Sequence, residues 1–166
     1  MDIRVLLAKY LTCIIATIVF AQANITIKEN TTWSNDLTLS ESVNILAGAT
    51  LTINKGVNIS IEFVDLDNDD IGDIEISVAG AIHVAGTQEE VVSIKPVHNS
   101  SNKNHWRGIA IHESQDISRI EFLNISNAGK GLDIKSKLSA RGLVIKNSGQ
   151  AGITIETSRS DSIELN

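Results

Sequence analysis

Five aspartates lie within nine residues of this chain, in the segment 65–73, which reads DLDNDDIGD. Four of them, Asp65, Asp67, Asp69 and Asp73, repeat the D-x-D-x-D-x-x-x-D spacing of calcium-binding loops, in which alternating carboxylates converge on one hard cation. Carboxylates this close together repel one another unless water or a cation neutralises them. The spacing therefore predicts a metal site at these four residues, with calcium as the ion.

The match to a calcium loop is incomplete. The segment resembles the calcium repeats of thrombospondin-type and dockerin modules, but Asp70 stands where such loops usually have glycine. Ile76 stands where the twelfth position of an EF-hand has glutamate. The alternative interpretation is a solvated acidic loop that protrudes from the domain.

Four histidines are the other residues suited to metal binding or to proton transfer at neutral pH. They are His83, His98, His105 and His112, and their spacing does not resemble that of a shared metal site. We expect His83 and His112 to point outward from strands, and His98 and His105 to belong to the polar loop around residues 99–104.

The N-terminal segment predicts export. Arg4 and Lys9 accompany an apolar run, residues 11–20, and a small-residue cleavage site follows, which is the order of a secretory signal peptide. The run is shorter than the about 20 apolar residues of a membrane helix, and no second run follows it. We expect cleavage near Asn24, a secreted or cell-surface product and no membrane span after cleavage. An uncleaved anchor and a lipid anchor at Cys13 are the alternatives.

The predicted mature chain, residues 24–166, has the size of one domain. Loss of the leader, residues 1–23, leaves 19 acidic and 12 basic residues, a formal charge of -7. Such a surface repels phosphates and argues against nucleic acid as a partner. Because the only cysteine, Cys13, lies in the leader, the exported product contains no disulfide and must be stabilised by packing.

Short stretches with an apolar residue at every second position recur along the mature chain, as in Leu51-Thr52-Ile53 and Ile59-Ser60-Ile61. A period of two predicts β-strands with one buried face. Gly, Asn, Ser or Asp interrupts almost every stretch within about five residues, and no helical stripe follows the leader. The sequence therefore predicts an all-β protein.

The strands repeat at a nearly constant distance. The segments LNISNAG, from Leu123, and LVIKNSG, from Leu143, match at an offset of 20, and GLDI and GITI match at an offset of 21. A unit of this length cannot bury its apolar side alone and must stack on its neighbours. The repeat predicts a solenoid of about six or seven coils, rather than a sandwich closed by hairpins. Asn127 and Asn147 would then stack at a turn, where they can form a side-chain ladder.

These residues resemble the right-handed parallel β-helix repeat proteins, whose fold is shared with pectate lyases. The similarity covers residues 33–155, and it is carried by a strand containing Trp33, by residues 43–57 and by residues 78–87 and 106–111. The resemblance implies a right-handed parallel β-helix over the whole mature chain. A solenoid needs caps over its ends, and no second cap is recognisable, so we expect the chain to be truncated or uncapped at its C-terminus.

The tryptophans and glycines of this sequence are expected to have structural roles in such a coil. We interpret Trp33 and Trp106 as packing anchors rather than platforms for sugars. Several glycines, including Gly108, are expected at strand ends, where the chain bends sharply and a Cβ would clash.

The resemblance implies either recognition or cleavage of polysaccharide. Lyases of this fold use calcium-binding acidic residues beside a basic residue that abstracts the sugar proton. Arg107, Arg119, Arg141 and Lys135 are the candidate bases, although none lies in a recognisable acidic cluster. The Gly-His-Gly segment of polygalacturonases is absent from the sequence.

We therefore expect no catalytic residues in this segment. The predicted role is structural or in recognition, with a polysaccharide or a cell-surface component as partner. The alternative is the N-terminal part of a polysaccharide lyase or glycoside hydrolase whose catalytic coils lie beyond residue 166.

Overall fold

The computed structural model describes residues 24–156 and 163–165, so the predicted leader lies outside the described residues. The regular structure of this part of the chain consists of seventeen β-strands. In chain order they are β1 (Ile25–Ile27), β2 (Thr31–Trp33), β3 (Leu37–Leu39), β4 (Val43–Ile45), β5 (Thr50–Asn54), β6 (Asn58–Ile61), β7 (Glu75–Val78), β8 (Ala81–Ala85), β9 (Val92–Pro96), β10 (Trp106–Ile111), β11 (Ser118–Glu121), β12 (Leu123–Ser126), β13 (Ala128–Ile134), β14 (Leu138–Arg141), β15 (Val144–Lys146), β16 (Ala151–Ile155) and β17 (Ile163–Leu165). The all-β prediction is confirmed. Within these residues no helix has the length and apolar character required to cross a bilayer.

The strands form three parallel sheets, because each strand pairs with the strand three positions further along the chain. The first sheet has the order β1-β4-β7-β10-β13-β16, the second β2-β5-β8-β11-β14-β17 and the third β3-β6-β9-β12-β15. Each coil contributes one strand to every sheet, and all ladders are parallel. The protein is a parallel β-helix, and its described strands make nearly six coils.

The strand register matches the repeat in the sequence. Asn124 of β12 pairs with Val144 of β15, at an offset of 20 residues. Leu132 of β13 pairs with Ile153 of β16, at an offset of 21 residues. Sequence repetition in the last coils is therefore the direct consequence of stacking.

The core is a column of aliphatic side chains that point inward from all three sheets. In the third sheet Ile59, Ile94 and Ile125 lie in register on successive strands, and each is almost fully buried. Burying one such side chain stabilises the fold by roughly 1.5–3 kcal/mol. Residues 24–166 contain no cysteine, so stacking of like residues stabilises this part of the chain without disulfides.

Both tryptophans pack on the core. Trp106 begins β10 and is completely buried, and its indole Nε1 donates a hydrogen bond to the Ser126 carbonyl oxygen at 3.0 Å. Trp33 is partly buried against the same column. Their interpretation as packing anchors is confirmed.

The turn after the third sheet uses left-handed backbone at two stacked asparagines. Asn127 and Asn147 have φ angles of 58° and 55°, which asparagine tolerates better than most residues. The side-chain amide of Asn127 does not extend toward Asn147. It donates to the carbonyl oxygens of Ser100 and Asn102, so this amide holds a loop of the preceding coil.

Two long loops leave the solenoid at the same corner, between the third sheet and the first. One comprises residues 62–74, between β6 and β7, and the other comprises residues 97–105, between β9 and β10. They lie on successive coils and are cross-linked. The Asn102 amide donates to the Asp70 carbonyl oxygen at 3.0 Å, and the Gly72 N–H donates to the Asn104 carbonyl oxygen at 2.8 Å. Hydrogen bonds therefore join the two loops at the corner beside the first sheet.

Candidate functional site

The outer face of the first sheet contains a depression where small residues interrupt a row of larger ones. Glu75 of β7, Gly108 of β10 and Lys130 of β13 lie in register on three successive strands. Gly108 has no side chain and lines the depression between Glu75 and Lys130.

A second row, two residues further along each strand of β7 and β10, repeats this arrangement. Ser77, Ala110 and Asp133 lie in register on the same three strands. Ala110 is the small residue here. Gly108 and Ala110 therefore form the floor of the depression, and longer polar side chains form its two sides.

The depression adjoins a second one on the same face, and the two share Glu75 and Arg107. Their volumes are about 260 and 340 Å³. The first is lined by Asp69, Ile71, Glu75, Arg107, Gly108, Ile109, Ala110, Gly129, Lys130, Asp133 and Gln150, and the second by Asn24, Ser42, Asn44, Asp73, Glu75 and Arg107. Together they form one groove, which we call the sheet groove. It extends from the start of β1 to the start of β16, about 24 Å at a strand spacing of about 4.8 Å.

Two ion pairs hold four of the six charged side chains of the sheet groove. Arg107 Nη2 donates to Asp73 Oδ1 at 2.5 Å, and Lys130 Nζ donates to Asp133 Oδ2 at 3.0 Å. The hydrogen bond that Arg107 donates to Asp73 raises the pKa of Arg107, and the one that Lys130 donates to Asp133 raises the pKa of Lys130. Both cations therefore stay protonated and oriented at neutral pH.

The floor of the groove contains a β-bulge. Gly108 pairs with Lys130, but the next residue, Ile109, pairs with Leu132, so β13 contains one extra residue, Gly131. Gly108 has a φ of 119°, and a Cβ at this position would lie 1.6 Å from the Lys130 carbonyl oxygen. Only glycine fits there. The expectation that Gly108 marks a strand end is wrong, because it lies inside β10 and serves the bulge.

The acidic loop, residues 65–73, borders the groove and is organised around Asp65. Asp65 Oδ1 accepts N–H hydrogen bonds from Asn68 and Asp69, and Oδ2 accepts one from Asp70. Asp70 has a φ of 63°. The backbone therefore adopts a left-handed turn at the position where calcium loops usually have glycine.

The structure brings together three of the four predicted metal ligands. One carboxylate oxygen each from Asp65, Asp67 and Asp73 lie within 4.8 Å of one another. Asp69 is not in this group; its Oδ1 accepts the N–H of Ile71, and the residue lines the sheet groove. Desolvation and then the charges of Asp69, Asp73 and Asp65 raise the pKa of Asp67.

These residues would suit part of a calcium site. Three convergent carboxylates are hard oxygen ligands of the kind that calcium prefers, but the ion takes six to eight oxygens, so backbone carbonyls or water would have to complete the shell. Asp73 also has other partners, because its Oδ1 accepts from Arg107 and its Oδ2 accepts from the Leu66 N–H. Calcium binding stays a prediction.

Among the described residues, no histidine joins the group of convergent carboxylates in the acidic loop. His83 Nε2 is 3.2 Å from the Ile117 carbonyl oxygen, and His112 Nε2 is 2.9 Å from the Ser77 hydroxyl, both on outward positions as expected. His105 ends the loop of residues 97–105, as expected, but it is buried, with only 6% of its surface exposed. Its Nε2 donates to the Ile61 carbonyl oxygen at 3.1 Å, and burial lowers its pKa.

Most residues of the sheet groove were not singled out from the sequence. In the sequence Arg107 is only a candidate base, and no motif points to Glu75, Lys130 or Asp133. They come from three coils at unequal distances along the chain, since residues 62–74 and 97–105 interrupt the repeat. The signal that could have found them is the glycine pair Gly108 and Gly131, which lies inside otherwise regular strands.

The chain matches no protein-family model, and no curated protein or solved structure is detectably similar to it. The fold and the site by themselves define a class: a parallel β-helix with a long polar groove along one sheet and an acidic loop at the border of that groove.

Proposed function

We propose that this chain is a secreted or cell-surface β-helix module that recognises carbohydrate through the sheet groove, in an adhesive or structural role. The observation that carries the proposal is the combination of fixed donors, fixed acceptors and a floor without long side chains in one groove. The resemblance of the sequence to the pectate-lyase fold agrees with a carbohydrate ligand, although a fold alone does not determine function.

Sugars both donate and accept hydrogen bonds, and the groove offers both kinds of partner. Arg107, Lys130 and Gln150 are donors, whereas Glu75 and Asp133 are acceptors. A hydrogen bond to a charged group contributes about 1.5–3 kcal/mol. Several such bonds suffice for the modest affinities of a recognition module.

The shape of the groove suits a polymer. The groove follows the axis of the solenoid, so a chain lying in it would contact successive coils. Its floor at Gly108 and Ala110 has no long side chain to obstruct a sugar ring. Four of its charged side chains, those of Glu75, Arg107, Lys130 and Asp133, project from strands, which hold binding groups more rigidly than loops do.

The charged groups favour binding over cleavage. A lyase base must take up a proton near neutral pH, and its pKa should lie close to that pH. Carboxylate partners raise the pKa of both Arg107 and Lys130, so each acts as a permanent cation. This property supports recognition rather than the alternative of a lyase in this segment.

Binding of the purified chain to a glycan array tests the proposal. We expect a defined set of oligosaccharides to bind, and Arg107→Ala to weaken binding at least about tenfold, equivalent to about 1.4 kcal/mol. Arg119→Ala is the matched control, because Arg119 is exposed on β11 in the second sheet. Absence of any bound glycan, or equal effects of the two variants, would contradict carbohydrate recognition by the groove.

A further inference from the structure

The sheet groove contains more negative than positive side chains. Its two depressions are lined by four carboxylates and two cations. The carboxylates are Asp69, Asp73, Glu75 and Asp133, and the cations are Arg107 and Lys130. The groove therefore has a net negative charge when all six groups are ionised.

Both cations are already neutralised by the protein. Asp73 binds the guanidinium of Arg107, and Asp133 binds the ammonium of Lys130. Asp73 and Asp133 expose only 12% and 18% of their side chains, so these carboxylates are held in place. Neither cation is available as an uncompensated partner for a carboxylate of a ligand.

The other two carboxylates have no ion pair of their own; Glu75 acts on Arg107 and Lys130 only at longer range, where its charge adds to the raised pKa of each. Among the ion pairs between described residues, none includes Asp69 or Glu75. Glu75 stands next to the open floor at Gly108, and Asp69 lies at the border of the groove. An acidic sugar in the groove would face both charges within a Debye length, which is about 10 Å at 0.1 M salt.

We infer that the sheet groove selects neutral polysaccharides and excludes polyuronates, an inference that rests on the carbohydrate recognition proposed above. Hydroxyl groups can use the paired cations and carboxylates as donors and acceptors without disturbing the pairs. A uronate must instead compete with Asp73 or Asp133 for a cation, or remain near Glu75 uncompensated.

The test compares two ligands with the same backbone. The strongest neutral oligosaccharide from the array is oxidised at C6, so that each hydroxymethyl becomes a carboxylate. Affinities of the parent and the oxidised sugar are measured by calorimetry with the purified chain at low ionic strength. We expect the oxidised sugar to bind at least about tenfold more weakly than the parent, and added salt to narrow the difference because it screens the charges.

The variant Asp133→Asn links the selectivity to the groove. It frees Lys130 from its carboxylate, so the ratio of the two affinities should fall severalfold. Asp116→Asn changes the net charge equally but lies on the exposed connection between β10 and β11, and it should leave the ratio unchanged.

Several outcomes overturn the inference. Equal or tighter binding of the oxidised sugar would contradict the selectivity for neutral sugars while leaving carbohydrate recognition intact. An array on which uronates are the main ligands would have the same meaning. An affinity ratio that Asp133→Asn leaves unaltered would exclude the groove charges as its cause. If no glycan binds at all, the proposed function itself fails, and the inference fails with it.

Discussion

Asp73 joins the acidic loop to the sheet groove, because one carboxylate bonds both structures. Its Oδ2 accepts the N–H of Leu66 inside the loop, and its Oδ1 accepts the guanidinium of Arg107 from the next coil. The position of Arg107 in the groove therefore depends on a residue of the loop. A substitution in the loop should alter the groove, and a substitution in the groove should alter the loop.

Replacing Asp73 with asparagine should lower the free energy of unfolding by about 1–2 kcal/mol at pH 7, since a hydrogen bond to a charged group is lost. The hydrogen bond from Arg107, then that from Leu66, lowers the pKa of Asp73. The contribution of Asp73 to the free energy of unfolding is therefore fully present above the unfolded-state pKa of about 3.9. It is lost as the pH falls through the lower folded-state pKa. Urea unfolding at pH 7 and near pH 2 should show the difference between wild type and variant shrinking in acid. An equal difference at both pH values would contradict the ion pair.

Calcium should raise the Tm of the purified chain if the acidic loop binds it, because only the folded state holds Asp65, Asp67 and Asp73 together. At a calcium concentration of about 100 times Kd the gain would be about 2.7 kcal/mol. Asp67→Ala should abolish the shift. Asp69→Ala should reduce it much less, since Asp69 lies outside the convergent group. If millimolar calcium leaves the Tm unchanged, and Asp67→Ala also has no effect on it, the prediction of a metal site is wrong.

His105 should make the fold less stable in mild acid. Burial lowers its pKa, so the folded state keeps the imidazole neutral while the unfolded chain takes up a proton below pH of about 6.5. Stability should fall as the pH drops below that value, by up to about 1.4 kcal/mol per pH unit, and level off at the folded-state pKa. The His105→Gln variant should lack this acid-dependent loss of stability. The other histidines are present in both proteins, so the difference in unfolding free energy between pH 7.5 and pH 5 isolates His105, and identical curves would refute its burial.

Gly108→Ala should destabilise the protein by roughly 2 kcal/mol or more. A left-handed φ costs about 1–3 kcal/mol for a residue with a side chain, and the added methyl would also meet the Lys130 carbonyl oxygen. Gly152→Ala in β16 is the matched control, because its Cβ would meet only the Ile145 methyl at 4.0 Å. Chemical denaturation of both variants checks this, and similar stabilities would argue against the bulge.

The regular part of the fold was predictable from the sequence because stacking imposes local patterns. Alternating residues such as Leu51 and Ile53 identify strands, and the offsets of 20 and 21 after Leu123 give the register of the last coils. The groove was not predictable. Thr52 pairs with His83 at an offset of 31 residues, and Ile59 with Ile94 at 35, because long connections separate these coils.

Burial of His105 was missed for a related reason. Its neighbours in sequence are polar, and its partner is the carbonyl oxygen of Ile61, 44 residues earlier. In the acidic loop, by contrast, the sequence predicted most of the arrangement. The spacing of Asp65, Asp67 and Asp73 predicted convergence, but the divergence of Asp69 depends on a hydrogen bond to the Ile71 N–H that spacing does not reveal.

The extra residue in β13 also determines which side of the sheet the following side chains occupy. In an unbroken strand, residues three positions apart face opposite sides. Lys130 and Asp133 are three apart, yet both project outward, because Gly131 shifts the phase of the alternation and Leu132 returns to the core. Without the bulge, regular alternation of the same residues would place this ammonium and this carboxylate on opposite sides of the sheet, one in solvent and one against the aliphatic column. The charge pattern of the groove thus depends on the bulge at Gly131, a residue that carries no charge of its own.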